Sequence, residues 1–266
     1  MSTRRILYIS QEIFPYVDES EISKVSRELP EFIQHHKNEV RLFMPKYGII
    51  NERRNQLHEV IRLSGANIAI DNRDHPLFIK VASIPSARMQ VYFINNDDFY
   101  KRKTMFEPTP KTGNDNDERS IFFVRGSLET VKKLRWIPEI IHCHGLFSAL
   151  ATIYLRRLYH DDPAFTGSKL VVSLYNEPSP AEMPETLFRK LEADNIPAAD
   201  YAIMEGKTDF RALMRLAILH ADAIVLASAD VDSELVAYAE ASGKPLLAYP
   251  GAEHSAEVYN EFYNTL

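Results

Sequence analysis

"RILYISQEIFPYVDESEISKVSRELP", residues 5–30, opens with a short apolar run, passes through a loop and enters a segment that reads as a helix from residue 20 to 36. A strand that ends in a loop and starts a helix is where many α/β proteins hold an anion on glycine N–H groups. This loop has no glycine and carries Asp18, Glu19 and Glu21. It would repel a phosphate.

The same pattern continues outward from this unit. Strand-like runs recur at 39–44, 90–95, 139–143, 169–175, 223–227 and 245–249, and several are apolar throughout, as strands covered on both faces are. Helical segments fit between them at 117–135, 146–160, 209–221, 231–242 and 253–265. In "DERSIFFVRGSLETVKKL" the residues Ile121, Val124, Leu128 and Val131 share one helical face. "DVDSELVAYAEASG" has acidic and hydroxyl residues at its start and Gly243 just past its end, the usual start and stop signals. Such alternation predicts an α/β fold, Rossmann-like and doubly wound, with a mostly parallel sheet and ligands beyond the strands' carboxyl ends. One domain over 1–266 is expected, with a hairpin insertion at about 57–85 from "LHEVIRLSG" and "HPLFIKVASIP". Residues 101–116 and 176–208 read as polar, proline-bearing connections.

Composition removes several function classes. A formal charge of −6 and the absence of a Lys/Arg-rich patch argue against nucleic acid and anionic membranes as partners. No apolar stretch approaches the ~20 residues of a membrane span, and the apolar part of "MSTRRILYIS" is too short for a signal peptide, so the cytoplasm is the expected location. Cys143 is the single cysteine, which excludes an intramolecular disulfide and a cysteine-built zinc site. No two glycines are separated by a single residue, so neither a dinucleotide fingerprint nor a P-loop is present, and no cofactor is expected. "HCH" at 142–144 puts two imidazoles on one strand face, but no third metal ligand accompanies them. His144, nearer the strand's carboxyl end, is the candidate functional histidine of the two.

Seven blocks in order carry a resemblance: "ILYISQEIFPYV", "ELPEFI", "EVRLFMPKYGII", "VYFINNDDFYKRK", "DNDERSIFFVRGSLE", "WIPEIIHCHGLFSALATIYLRRLY" and "ADAIVLAS". Together they resemble the amino-terminal domain of glycogen and starch synthases, retaining glucosyltransferases of the GT-B type. The resemblance implies one of two Rossmann-like halves facing across a cleft, and a family activity of glucosyl transfer from a nucleotide-glucose to an α-1,4-glucan.

Departures from the family pattern are as informative as the match. Where the family has Lys-Thr-Gly-Gly-Leu around the donor, this chain has Asp18, Glu19, Ser20, Glu21 and Ile22. Glycine lets backbone N–H groups approach an anion and lysine neutralises it; two like charges ~5 Å apart repel by roughly 3 kcal/mol at an effective dielectric near 20. Gly145 and Leu146 stand where the family has Asp-Trp, and Tyr175 precedes Asn176 where it has His-Asn. Gly113 takes the place of the tyrosine in its Tyr-x-Asp-Asn block, while Glu12 and His144 match the family. The family's second domain, which supplies further donor-holding groups, is not seen. Helix 253–266, with Val258, Tyr259, Phe262 and Leu266 on one stripe, is expected to dock on the single domain and complete it.

Three functions follow as alternatives. One is a weak or inactive relative that binds glucan or regulates a glycogen-metabolism enzyme, holding nucleotide-glucose weakly if at all. The others are an active glucosyltransferase completed by a partner chain or an oligomer, and a small-molecule-binding α/β protein of unrelated ligand.

Overall fold

The computed structural model describes residues 3–177, 182–251 and 256–266. Its strands are β1 (Arg5–Ser10), β2 (Glu39–Pro45), β3 (His58–Glu59), β4 (Ala66–Ile70), β5 (Arg73–Ile84), β6 (Met89–Asn95), β7 (Ile140–His144), β8 (Lys169–Leu174), β9 (Ala223–Leu226) and β10 (Leu246–Leu247). The α-helices are α1 (Glu21–His35), α2 (Asp97–Tyr100), α3 (Asn116–Lys133), α4 (Leu146–Arg156), α5 (Thr186–Ala193), α6 (Phe210–His220), α7 (Ser233–Ala241) and α8 (Ala256–Asn264).

The strands lie in the order β10-β9-β8-β7-β1-β2-β6-β5-β3, with β4 paired to β5 alone. From β10 to β6 every neighbouring pair is parallel. Beyond β6 the pairing turns antiparallel. The chain leaves β1 toward β2 and β6, then returns to build β7 to β10 on the other side. The reversal of strand order therefore falls between β1 and β7, where a crevice opens at the strands' carboxyl ends. On one face α3, α4 and α6 pack side by side, and on the other α1 packs against α8.

Helix α1 shows why the glycine-free loop folds. Ser20 caps it in an extended conformation, its hydroxyl accepting from the Ser23 N–H while the Ser23 side chain accepts from the Ser20 N–H. This reciprocal pair satisfies two donors that the first turn leaves open. Ile22, Val25, Leu29 and Ile33 recur at helical spacing and are the buried stripe.

The insertion differs from the sequence expectation. The hairpin arms are β4 and β5, so most of "LHEVIRLSG" is turn and only His58–Glu59 pairs. Asp71 and Asn72, both at positive φ, form the tight turn that right-handed strand twist favours. β5 then joins β6, so the insertion extends the main sheet. The stretch taken as connection at 176–208 contains α5, whose apolar Leu187 and Leu191 are fully buried.

Helix α8 packs against α1 and the sheet through Tyr259 of the expected stripe and through Tyr263, which lies outside that stripe. Tyr259 and Tyr263 are fully buried, whereas Val258, Phe262 and Leu266 are half-buried at its margins. Residues 253–255 of the expected helix lie outside the described residues. The sheet beneath presents Tyr8, His142 and Ser173, and a polar-ended aromatic suits that surface better than an aliphatic side chain.

Candidate functional site

The site is assembled from the loops after β1, β7, β8 and β9. Gln11 and Glu12 leave β1 and are buried. The Gln11 amide donates to Glu12 Oε1 at 3.0 Å, and Glu12 Oε2 accepts from the Ser20 hydroxyl at 2.6 Å. Glu12 thus ties the end of β1 to the cap of α1. Ser20 is half-buried, and Asp18, Glu19 and Glu21 are exposed. Glu21 accepts a hydrogen bond from the Ser228 hydroxyl, whose oxygen also accepts from the Asn176 N–H at 3.0 Å. The Asn176 amide donates to Asp230 at 2.7 Å. These contacts bind the β1, β8 and β9 loops into one rim.

Gly145, between β7 and α4, sits at φ +82, and a Cβ there would come within 2.7 Å of the Gln11 Cβ. Both facts demand glycine. Leu146 begins α4 and is fully buried, as is Phe147. The first N–H groups of a helix form an anion-binding end, and here the chain's own side chains occupy it. Gln11 Oε1 accepts from the Phe147 N–H at 3.1 Å, and the Glu177 carboxyl lies beside the Leu146 N–H and the Gln11 side chain, both of which favour its ionised form. Burial and the neighbouring charge of Glu12 push Glu177 up to about 8, so it is protonated at neutral pH.

Below this rim lies a buried aromatic and imidazole layer. His144 Nδ1 is hydrogen-bonded to the Tyr175 hydroxyl at 2.8 Å, and both residues are buried. Tyr175 is held well above the ordinary phenol pKa by burial, with Tyr259, Glu21 and Glu177 adding to the effect. His142 is hydrogen-bonded to Tyr263 at 2.6 Å and to Ser173 at 2.8 Å. Burial and the nearby His144 ring, 4.0 Å away, keep His142 neutral well below its usual range. No group of three His, Cys, Asp or Glu suited to a metal exists among the described residues.

The structure therefore brings Glu12, Ser20, Glu21, His144, Gly145, Leu146, Tyr175 and Asn176 to neighbouring loops at the strands' carboxyl ends, with Asp18 and Glu19 on the outer rim. Gln11, Glu177, Ser228 and Asp230 are partners that sequence reasoning missed. Glu177 directly follows Asn176, and Gln11 directly precedes Glu12; adjacency was the available signal.

A cavity of about 760 Å³ opens around α2, α5 and the start of α3. Its walls carry several ion pairs. Arg102 bonds both oxygens of Asp115, Lys101 pairs with Asp97 at 3.1 Å, and Lys190 is bound to the buried Asp117. Thr109, Thr112 and Asn114 add neutral hydrogen-bonding groups.

The family profile for the starch synthase catalytic domain matches residues 5–246. The chain belongs to the glycogen and starch synthase family. It is 34% identical over 231 residues to the glycogen synthase of Chlorobium luteolum, covering 83% of this chain and 47% of that protein. It is 34% identical over 227 residues to the glycogen synthase of Chlorobaculum tepidum, covering 84% and 46%. The fold is similar to that of the catalytic domain of starch synthase IV from Arabidopsis thaliana bound to ADP and acarbose. That superposition has a TM-score of 0.73 at 16% identity and covers 93% of this chain and 51% of the plant one. The chain spans about half the length of the curated relatives it matches. As a family member it has the mostly parallel α/β architecture of a GT-B half. No helix among the described residues is long and apolar enough to cross a membrane.

Proposed function

We propose that this glycogen/starch synthase relative acts in α-1,4-glucan metabolism as a glucan-binding or regulatory partner, and that the chain alone does not hold a nucleotide-glucose appreciably. The carrying observation is that carboxyls fill the anion end of the site. Asp18, Glu19 and Glu21 rim the loop where the family's lysine and glycines would meet the donor, and Glu177 and Gln11 occupy the head of α4. A diphosphate entering here would displace internal hydrogen bonds and meet like charge. A neutral polyhydroxylated ligand meets no such repulsion. A cavity of about 760 Å³ around α2, α5 and the start of α3, carrying paired donors and acceptors, supports a glucan chain as that ligand.

The test pairs calorimetry with ADP-glucose and UDP-glucose against sedimentation with glycogen. Co-sedimentation with glycogen and nucleotide-glucose binding no tighter than millimolar, about −4 kcal/mol, is the expected result. Micromolar nucleotide-glucose binding would overturn it. Glu12 and His144, which keep the family's identities, favour a second reading, an active glucosyltransferase completed by a partner chain. Transfer of [14C]glucose to glycogen on adding a candidate partner enzyme would establish that reading instead.

A further inference from the structure

A second groove, of about 410 Å³, lies outside the strand-end site and shares none of its hydrogen-bonded residues. The β1–α1 loop, the start of the insertion and the β5–β6 turn enclose it. Such a volume is within the range of small-molecule sites, roughly 300–1,000 Å³. The ionisable groups lining it are Tyr16, Arg27, Arg54 and His58, without a single carboxylate, in a chain whose net charge is −6. Arg27 spends part of its guanidinium on Glu31 and on Ser86. Arg54 and His58 are exposed and make no ion pair among the described residues.

The remaining surface suits the body of a ligand. Phe14 keeps 41% of its surface exposed, and Pro15 and Pro85 are exposed beside it. Asn55, Gln56 and Ser83 supply neutral hydrogen-bonding groups to the lining. Tyr16 also lines the groove; it is 6% exposed, and its hydroxyl has no hydrogen-bond partner among the described residues. Buried polar groups ordinarily have partners, and one that lacks them beside a groove marks a place for a ligand or water.

We infer that this groove binds a phosphate monoester of a small hydroxylated molecule. The phosphate is taken by the Arg54, His58 and Arg27 side of the groove, and an apolar ring face lies on Phe14. Guanidinium groups match phosphate oxygens in charge and in fork geometry. Cationic groups whose one paired carboxylate, Glu31 on Arg27, lies outside the lining select an anion, in contrast to the strand-end rim, which rejects one. The inference is independent of what occupies that rim.

The experiment is calorimetric titration of the full chain with inorganic phosphate, glucose 1-phosphate and, as control, glucose. Both phosphates should bind, glucose 1-phosphate the more tightly, and glucose should not. R54A/H58A should weaken both phosphates by about tenfold or more, while F14A should weaken glucose 1-phosphate and spare inorganic phosphate. Phosphate binding unchanged in R54A/H58A, glucose binding as tightly as its phosphate, or no response to either phosphate up to about 10 mM would each overturn the assignment. Exposed Arg54 and His58 can be replaced without unfolding the chain, and a matching circular dichroism spectrum verifies that.

Discussion

The Glu177 carboxyl lies beside the Leu146 N–H at the head of α4, where burial, with the neighbouring Glu12 charge adding to it, raises its pKa from 4.5 to about 8. A carboxyl that holds its proton more tightly folded than unfolded contributes stability at pH below 4.5. That contribution is lost as pH rises toward about 8. Urea unfolding from pH 5 to 8.5 should therefore show stability falling across this window. Glu177→Gln, which keeps the donor contact from Leu146 and cannot ionise, should flatten the slope and gain on the order of 1–3 kcal/mol at pH 8 relative to the native chain. Parallel pH profiles for the two proteins would refute this.

Lys190 and Asp117 form an ion pair between α5 and α3, at 4% and 0% side-chain exposure. Thr186 also donates to Asp117, at 2.8 Å. Lys190→Met removes the main partner and strands a buried carboxyl, at a cost of about 3–5 kcal/mol. Lys190→Met with Asp117→Leu removes both charges and should recover more than half of that loss. A double variant as unstable as the single one would show that α5 docks for another reason.

How much of this was legible in the sequence differs between fold and site. Seven parallel strands and the helices between them show in apolar runs such as "RILYIS" and "EVRLFM", because strands buried on both faces need apolar residues regardless of neighbours. The start of α5 was hidden by the prolines and acidic residues around it, although Leu187 and Leu191 are spaced one turn apart. The strand-end site was legible in position and not in bonding. Loops after parallel strands must converge, which brought His144 and Tyr175 together. That Ser20 caps α1 through Ser23, or that Gln11 serves both Glu12 and α4, depends on side-chain directions that no spacing rule reports.

Gly145 separates β7 from α4 at φ +82, with the Gln11 Cβ 2.7 Å from where its own would stand. Gly145→Ala must strain the backbone and shift Gln11, which carries the Glu12 and Phe147 bonds. A loss of about 2–4 kcal/mol is expected in urea. Gly167→Ala, at a position with open space and no left-handed φ, should change stability by under about 0.5 kcal/mol. Equal effects at the two positions would refute the argument.

Helix α8 supplies the sharpest comparison, because two of its tyrosines are equally buried and differently bonded. The Tyr263 hydroxyl is hydrogen-bonded to His142 at 2.6 Å and donates to Tyr8 at 3.4 Å. The Tyr259 hydroxyl has no hydrogen-bond partner among the described residues. Removing the Tyr263 oxygen leaves His142 Nδ1 buried without that partner, and burial of an unpaired polar group costs about 1–3 kcal/mol. Tyr259→Phe removes an oxygen that gains no bond, so it should be neutral or stabilising by up to about 1 kcal/mol. Urea midpoints for the two phenylalanine variants are thus expected to fall on opposite sides of, or one well below, the native value. Because the two residues are one helical turn apart, general loosening of α8 would move both midpoints down together, and that outcome would show that packing alone, not the His142 hydrogen bond, holds the helix on the sheet.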